Sequence, residues 1–293
     1  MIKRELYMRR IRPFIGGDLI KVMTGIRRSG KSVMLELVKQ ELLETGISES
    51  RFITINFEDL RNAPLCNAEA LHAEILRRAE SIQGKAYLFF DEIQEVQDWE
   101  KCITSLRVAL DCDIYITGSN ARLLSGELAS YLGGRYVEFV IYPFSFSEFL
   151  ELYQPIAPQA TPAQCFQKYL LAGGMPYLAN LRYEDAPSRQ YLNDIFNSVQ
   201  LKDIIQRNQI RDVDLLERIL RYVIVNTGTS FSASSLSKFL KSEQRKVSPE
   251  TILNYIRYCC DAYLIYQVNC QDLTGKQILS TNEKYYIADH GIR

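Results

Sequence analysis

The first half of the chain predicts an α/β fold: a parallel sheet with helices on both faces. Three observations carry this reading. Strand and helix patterns alternate from Leu19 to about Leu152. A glycine-bracketed run, Gly25-Ile26-Arg27-Arg28-Ser29-Gly30-Lys31-Ser32, stands between the first strand pattern and the first long helix pattern. A continuous apolar run, Tyr87-Leu88-Phe89-Phe90, ends in two acids, Asp91 and Glu92, as suits a central strand buried on both faces. The second half reads differently. It is helical from about 161 to 226, then runs helix, helix and hairpin. The 293 residues thus divide into 1–155, 156–226 and 227–293.

Lys3 to Ile15 reads as a lead-in helix or loop that docks on the first domain. Strands are expected at 19–24, 52–58, 86–91, 113–118 and 136–142. Helices are expected near 31–45, 69–82, 99–110, 121–131 and 145–152. Gly46, Gly84 and Gly118 punctuate element ends. Pro155, Pro158 and Pro162 mark a change of composition. Gly173-Gly174-Met175-Pro176 interrupts the helical stretch with a turn. Ser248 followed by Pro249 gives an N-cap and a proline at the first helical position. Ile252, Tyr255, Ile256, Cys259 and Cys260 then form one buried stripe at helical spacing. Leu264–Val268 and Lys284–Ile287 flank a polar turn holding Gly275, which completes a winged helix-turn-helix pattern.

The run from Gly25 to Ser32 spells G-x-x-x-x-G-K-S, the phosphate-binding P-loop pattern, in its required context of strand, loop and helix. Gly25 and Gly30 let the backbone turn its N–H groups toward phosphate oxygens, and the helix start adds free N–H groups and a positive dipole end. Lys31 can place a charge on the β/γ-phosphates, and the Ser32 hydroxyl can ligate Mg²⁺. Arg27 and Arg28 either reach phosphate or form a solvated loop tip. Asp91, at the C-terminal end of its strand, lies where open α/β sheets bind ligands and would hold Mg²⁺. Glu92 can orient or deprotonate an attacking water. Adjacent Asp-Glu is the hallmark of P-loop ATPases with an additional strand between the P-loop and acidic strands, which implies the sheet order 5-1-4-3-2. That strand would be Asp113–Thr117. It leads to Ser119 or Asn120 as the sensor of the γ-phosphate, with Thr117 as the alternative; either Ser119 or Asn120 could instead cap the next helix. Arg135 reads as an arginine finger, in cis or from a neighbouring subunit, or as half of an internal salt bridge. Arg122 has the same two readings.

Lys plus Arg (35) balances Asp plus Glu (35), so no global basic field points to nucleic acid. There is no secretory leader pattern at the start and no apolar run of bilayer-spanning length. Seven cysteines without C-x-x-C, and two distant histidines (His72 and His290), speak against a disulfide framework or a zinc site. A cytoplasmic chain with reduced thiols is the expectation. The outer face of the stripe-bearing helix would carry Glu250, Leu253, Asn254, Arg257 and Asp261, flanked by Arg245, Lys246 and Lys276. This mixed surface leaves both DNA binding and protein docking, or a homo-oligomer, open.

Taken in order, G-I-R-R-S-G-K-S, F-F-D-E-I-Q, Trp99, I-T-G-S-N-A-R-L-L-S, L-G-G-R, Y-P-F-S-F-S-E-F, G-G-M-P and K-Y-Y-I-A-D-H-G-I-R resemble the prokaryotic AAA-superfamily ATPases. The likeness runs over essentially the whole chain. It implies ATP and Mg²⁺ as ligands, Lys31, Ser32 and Asp91 as their holders, Glu92 as catalytic acid/base, a sensor at Ser119 or Asn120, and a winged helix. Members usually continue beyond the Y-Y-I-A-D-x-G segment into a restriction-endonuclease-like domain, and this sequence stops at Arg293. Nuclease activity is therefore not carried over. The helical part shows no clear sensor-2 arginine. Three activities follow as expectations: an ATPase coupled to movement of the helical and winged-helix regions, a nucleotide-gated switch with little turnover, and an ATP-controlled DNA-binding regulator.

Overall fold

The computed structural model describes residues 2–121, 133–271 and 278–292. The helix expected over 121–131 (but for its first residue), the turn at Gly275, and the residues Arg122 and Lys276 lie outside them. The chain forms two compact units: Met1–Gly25 with Ser29–Ile141, and Ile26–Arg28 with Tyr142–Arg293. Among the described residues no helix is long and apolar enough to cross a membrane.

The first unit runs α1 (Glu5–Ile11), β1 (Ile20–Thr24), α2 (Lys31–Glu44), β2 (Phe52–Asn56), α3 (Ala68–Ala79), β3 (Ala86–Asp91), α4 (Trp99–Ala109), β4 (Cys112–Thr117) and β5 (Tyr136–Val140). The sheet order is β2-β3-β4-β1-β5 and every pairing is parallel. Read from the other edge this is 5-1-4-3-2, the order that the Asp-Glu pair implied. Alternation along the strands divides the core. Ile20, Val22, Leu88, Phe90, Ile114 and Ile116 pack with α3 and α4 through Leu71, Ile75, Ile103 and Leu106. Met23, Phe89, Tyr115 and Phe139 face the other way, onto α1 and α2 through Met8, Ile11, Met34 and Val38. The three central strands β1, β3 and β4 are buried along their whole length, which accounts for their unbroken apolar runs.

One ion pair breaks that apolar layer. The side chains of Lys21 on β1 and Asp113 on β4 are both fully buried and hydrogen-bonded to each other. Lys21 Nζ also donates to the carbonyls of Leu19 (2.8 Å) and Gly17 (3.2 Å). Asp113 Oδ2 accepts from the Gly16 N–H (2.7 Å) and the Tyr115 hydroxyl (2.8 Å). Burial pushes the Lys21 ammonium below its usual range, and the Asp113 charge opposes that shift. The cluster ties the Gly16–Gly17 turn to the N-terminal end of the sheet, away from the loop that follows β1.

The second unit contains α5 (Phe146–Tyr153), α6 (Pro162–Ala172), α7 (Asp185–Ser198), a π-helical segment (Val199–Gln206), α8 (Val213–Val225), α9 (Ala233–Ser242), α10 (Pro249–Asp261) and the strands β6 (Ile265–Gln271) and β7 (Ile278–Ile287). Local sequence sets the helix starts. Ser145 with Glu148, and Thr161 with Gln164, form capping boxes, and Ser248 caps α10 ahead of Pro249. Ile252, Ile256 and Cys259 are buried along α10. β6 and β7 pair antiparallel, with Ile265 opposite Ile287. The segment after α8 joins β7 through a bridge between Ser230 and Lys284.

The two glycine-bearing motifs of this half meet. The Asp289 carboxylate accepts the Gly174 N–H (2.6 Å) and the Gly291 N–H (2.9 Å). A Cβ on Gly173, which sits at φ +78°, would lie 1.9 Å from Asp289 Oδ1, and one on Gly174 would lie 2.1 Å from the Phe144 carbonyl oxygen. The G-G-M-P turn and the A-D-H-G segment therefore need their glycines to close on one another.

Candidate functional site

The site is built where four parallel strands end on the same side of the sheet. β1 delivers the glycine loop, β3 delivers Asp91 and Glu92, β4 delivers Thr117, and β2 delivers Asn56. Gly25 has φ +137°, and a Cβ there would lie 2.3 Å from the Ile141 carbonyl oxygen, so both conformation and space demand glycine. Gly30, at φ +99°, is the N-cap of α2. Lys31 is the first residue of α2 and is buried. Its Nζ folds back to donate to the Gly25 carbonyl (3.1 Å) and lies 3.7 Å from Glu92 Oε1. Arg4, buried just ahead of α1, donates to the Ser29 carbonyl (2.9 Å) and holds the loop backbone from behind.

Asp91 is the hub. Thr117 Oγ1 donates to its Oδ1 at 2.6 Å and Asn56 Nδ2 to its Oδ2 at 3.0 Å. The Ser32 hydroxyl acts on the same carboxyl group, favouring its charged form. Burial raises the Asp91 pKa, and the Thr117 and Ser32 hydroxyls oppose that rise. Glu92 follows in a left-handed backbone conformation (φ 55°), uncommon for a residue with a side chain. Its N–H donates to Thr117 Oγ1 (2.9 Å) and its carboxylate accepts from Gln94 Nε2. Thr117 thereby links the two acids.

Two hydroxyls here have no visible partner. The Oγ atoms of Ser29 and Ser119 are buried and without a hydrogen-bond partner among the described residues. Buried polar groups are normally satisfied, so these two are fitted to an additional polar group at the loop. Asn120 is buried beside Ser119 in sequence. With the Lys31 ammonium, the N-terminus of α2, the Ser32 hydroxyl and the Asp91 carboxyl, the group suits a phosphate chain and a hard divalent cation.

Three readings change. Arg135 directly precedes β5, and its carbonyl accepts the Ile20 N–H (3.0 Å). It therefore stands at the N-terminal end of the sheet, about six residues or roughly 20 Å of strand from the loop end, and cannot serve its own chain's site. Arg27 is not a solvated tip residue, since its side chain is largely buried, whereas Arg28 is exposed, as that reading expects. Arg27 pairs with Asp203, and the Arg28 guanidinium lies 5.9 Å from the centre of the Tyr191 ring. Arg245 is engaged by Asp212 and Asp214, which takes it from the surface offered for DNA. Asn56 and Arg4 carry no motif of their own. The register that sets Asn56 opposite Asp91 identifies the first; nothing in the local sequence identifies the second.

Comparison with known proteins adds two family matches. Residues 18–150 match the model of an AAA domain, and residues 163–293 match a domain of unknown function, DUF8612. An uncharacterized protein of Haemophilus influenzae is 38% identical over 294 residues, covering 100% of this chain and 73% of that protein. Uncharacterized protein MJ1544 of Methanocaldococcus jannaschii is 32% identical over 280 residues, covering 92% of this chain and 60% of that one. Among solved structures, AMPPCP-bound DnaA from Aquifex aeolicus aligns over 87% of both chains at 14% identity and a TM-score of 0.44.

Proposed function

This chain belongs to the prokaryotic AAA-type P-loop ATPases, and we propose that it binds Mg-ATP at Gly25–Ser32 and hydrolyses it with Glu92 as general base. The observation that carries this reading is the Asp91 carboxyl, hydrogen-bonded at once to Thr117 and Asn56 at the strand end that also holds the Lys31–Glu92 pair. The loop N–H groups and Lys31 bind the phosphates. Ser32 and Asp91 would hold a Mg²⁺, which when bound would neutralise phosphate charge. Asn56 and Thr117 keep the Asp91 carboxylate turned toward Ser32. Glu92 accepts a proton from water on one carboxylate oxygen, while Gln94 steadies the other. Ser119 and Asn120 orient that water and the terminal phosphate.

A second reading rests on the order of α9, α10 and the β6–β7 hairpin, which is that of a winged helix-turn-helix. The exposed part of α10 carries Glu250, Leu253 and Arg257, a mixed surface that favours a protein partner or a second copy over DNA. Nucleotide-gated signalling through this region and DNA-directed hydrolysis are the two forms of this reading. The free thiols fit a reducing compartment such as the cytoplasm.

Steady-state phosphate release by the purified chain, with Mg-ATP and with or without duplex DNA, tests both readings. Turnover that is independent of DNA is the expected result. Stimulation by DNA would favour the DNA-directed form, and binding without turnover in either condition would favour the switch.

A further inference from the structure

The loop tip Ile26–Arg28 clusters with the second unit, and its arginines have partners there. Arg27 makes a forked pair with Asp203, Nε to Oδ2 at 2.5 Å and Nη2 to Oδ1 at 3.2 Å. The Asp203 side chain is 1% exposed and that of Arg27 21%. A carboxylate this buried must be paired, and the forked geometry fixes the plane of the guanidinium as well as its position. The neighbouring residue, Arg28, has φ 62°. Such a backbone conformation persists only where its surroundings hold it.

Asp203 lies in the π-helical segment Val199–Gln206. Insertions of this kind interrupt an α-helix at a cost in hydrogen bonding and are frequent at functional sites. A second cation competes for the same carboxylate. Arg207 Nη2 is 4.0 Å from Asp203 Oδ1, and Arg207 Nη1 is buried without a hydrogen-bond partner among the described residues.

We propose that Asp203 is a positioning residue for nucleotide binding: through its forked pair with Arg27 it holds the tip of the glycine loop in the conformation that presents its N–H groups to phosphate. This rests on the ATP-binding reading above. By linkage, a nucleotide that selects the held loop must in turn tighten the Asp203 segment.

The test uses the full chain, a fluorescent ATP analogue, and the variants Asp203→Asn, Arg27→Met and the double variant. Asp203→Asn is expected to weaken nucleotide binding and raise KM by about tenfold, with a much smaller change in kcat. Arg27→Met should cost about the same, and the double variant no more than either single one, because both remove one interaction. Hydrogen exchange adds a readout that a merely structural role would not move. Nucleotide should slow exchange across 199–206 in the wild type and not in Arg27→Met. Unchanged affinity in Asp203→Asn, or losses that add in the double variant, would overturn the proposal alone, since wild-type binding is measured in the same series. Failure of the wild type to bind nucleotide would instead overturn the ATP-binding reading and this role with it. Should Asp203→Asn fail to fold, Arg27→Met with the exchange measurement decides.

Discussion

Replacing Glu92 by Gln is expected to abolish turnover while leaving ATP binding intact. The change is isosteric and removes only the capacity to take a proton. The surroundings keep the side chain in place: the left-handed backbone at φ 55°, the Thr117 hydroxyl on its N–H, and the Gln94 amide at its carboxylate. A general base contributes about 10²- to 10⁴-fold in rate, so phosphate release should fall by at least about 100-fold. Titration with an ATP analogue should give the wild-type affinity to within a small factor, because Lys31 and the loop backbone are untouched. Turnover at the wild-type rate would remove Glu92 from the chemistry.

The second large effect concerns stability. Lys21→Met should destabilise the first unit by about 3–5 kcal/mol, because it strands the fully buried Asp113 carboxylate. Asp113→Leu should cost a similar amount by stranding the ammonium and the Tyr115 hydroxyl. Changing both together should cost clearly less than the sum, since neither charge then remains. Denaturant melts followed by Tyr and Trp fluorescence would measure this. Two small, additive losses would show that the pair contributes little.

The sheet and its site were legible to different depths. The glycine run, the buried apolar strand and its terminal acids are local patterns, so strand positions, strand order and the places of Lys31, Ser32, Asp91 and Glu92 could be read directly. Asn56 could not, because its role exists only once β2 is in register beside β3 and Asn56 falls opposite Asp91. For Arg135 the sequence leaves open a finger in cis, a finger from a neighbouring subunit, or an internal salt bridge. Strand direction removes the first alone, since the beginning of a parallel strand lies at the end of the sheet away from the ligand. The partners of Arg27 and of Gly174 lie 176 and 115 residues along the chain. No periodicity reports contacts of that range. The π-helical segment was invisible for a related reason: its apolar pattern passes for α-helix, and the extra residue per turn shows only in the backbone.

The most direct test of the central claim is an equilibrium titration of a fluorescent ATP analogue, with Mg²⁺, into the wild-type chain and the Lys31→Ala variant. The account predicts saturable binding of one nucleotide per chain. In the variant that binding should weaken by at least about tenfold, as loss of charge-assisted hydrogen bonds of about 1.5–3 kcal/mol requires. Equal binding by both chains, or none by the wild type, would contradict the assignment of Gly25–Ser32 as the phosphate site.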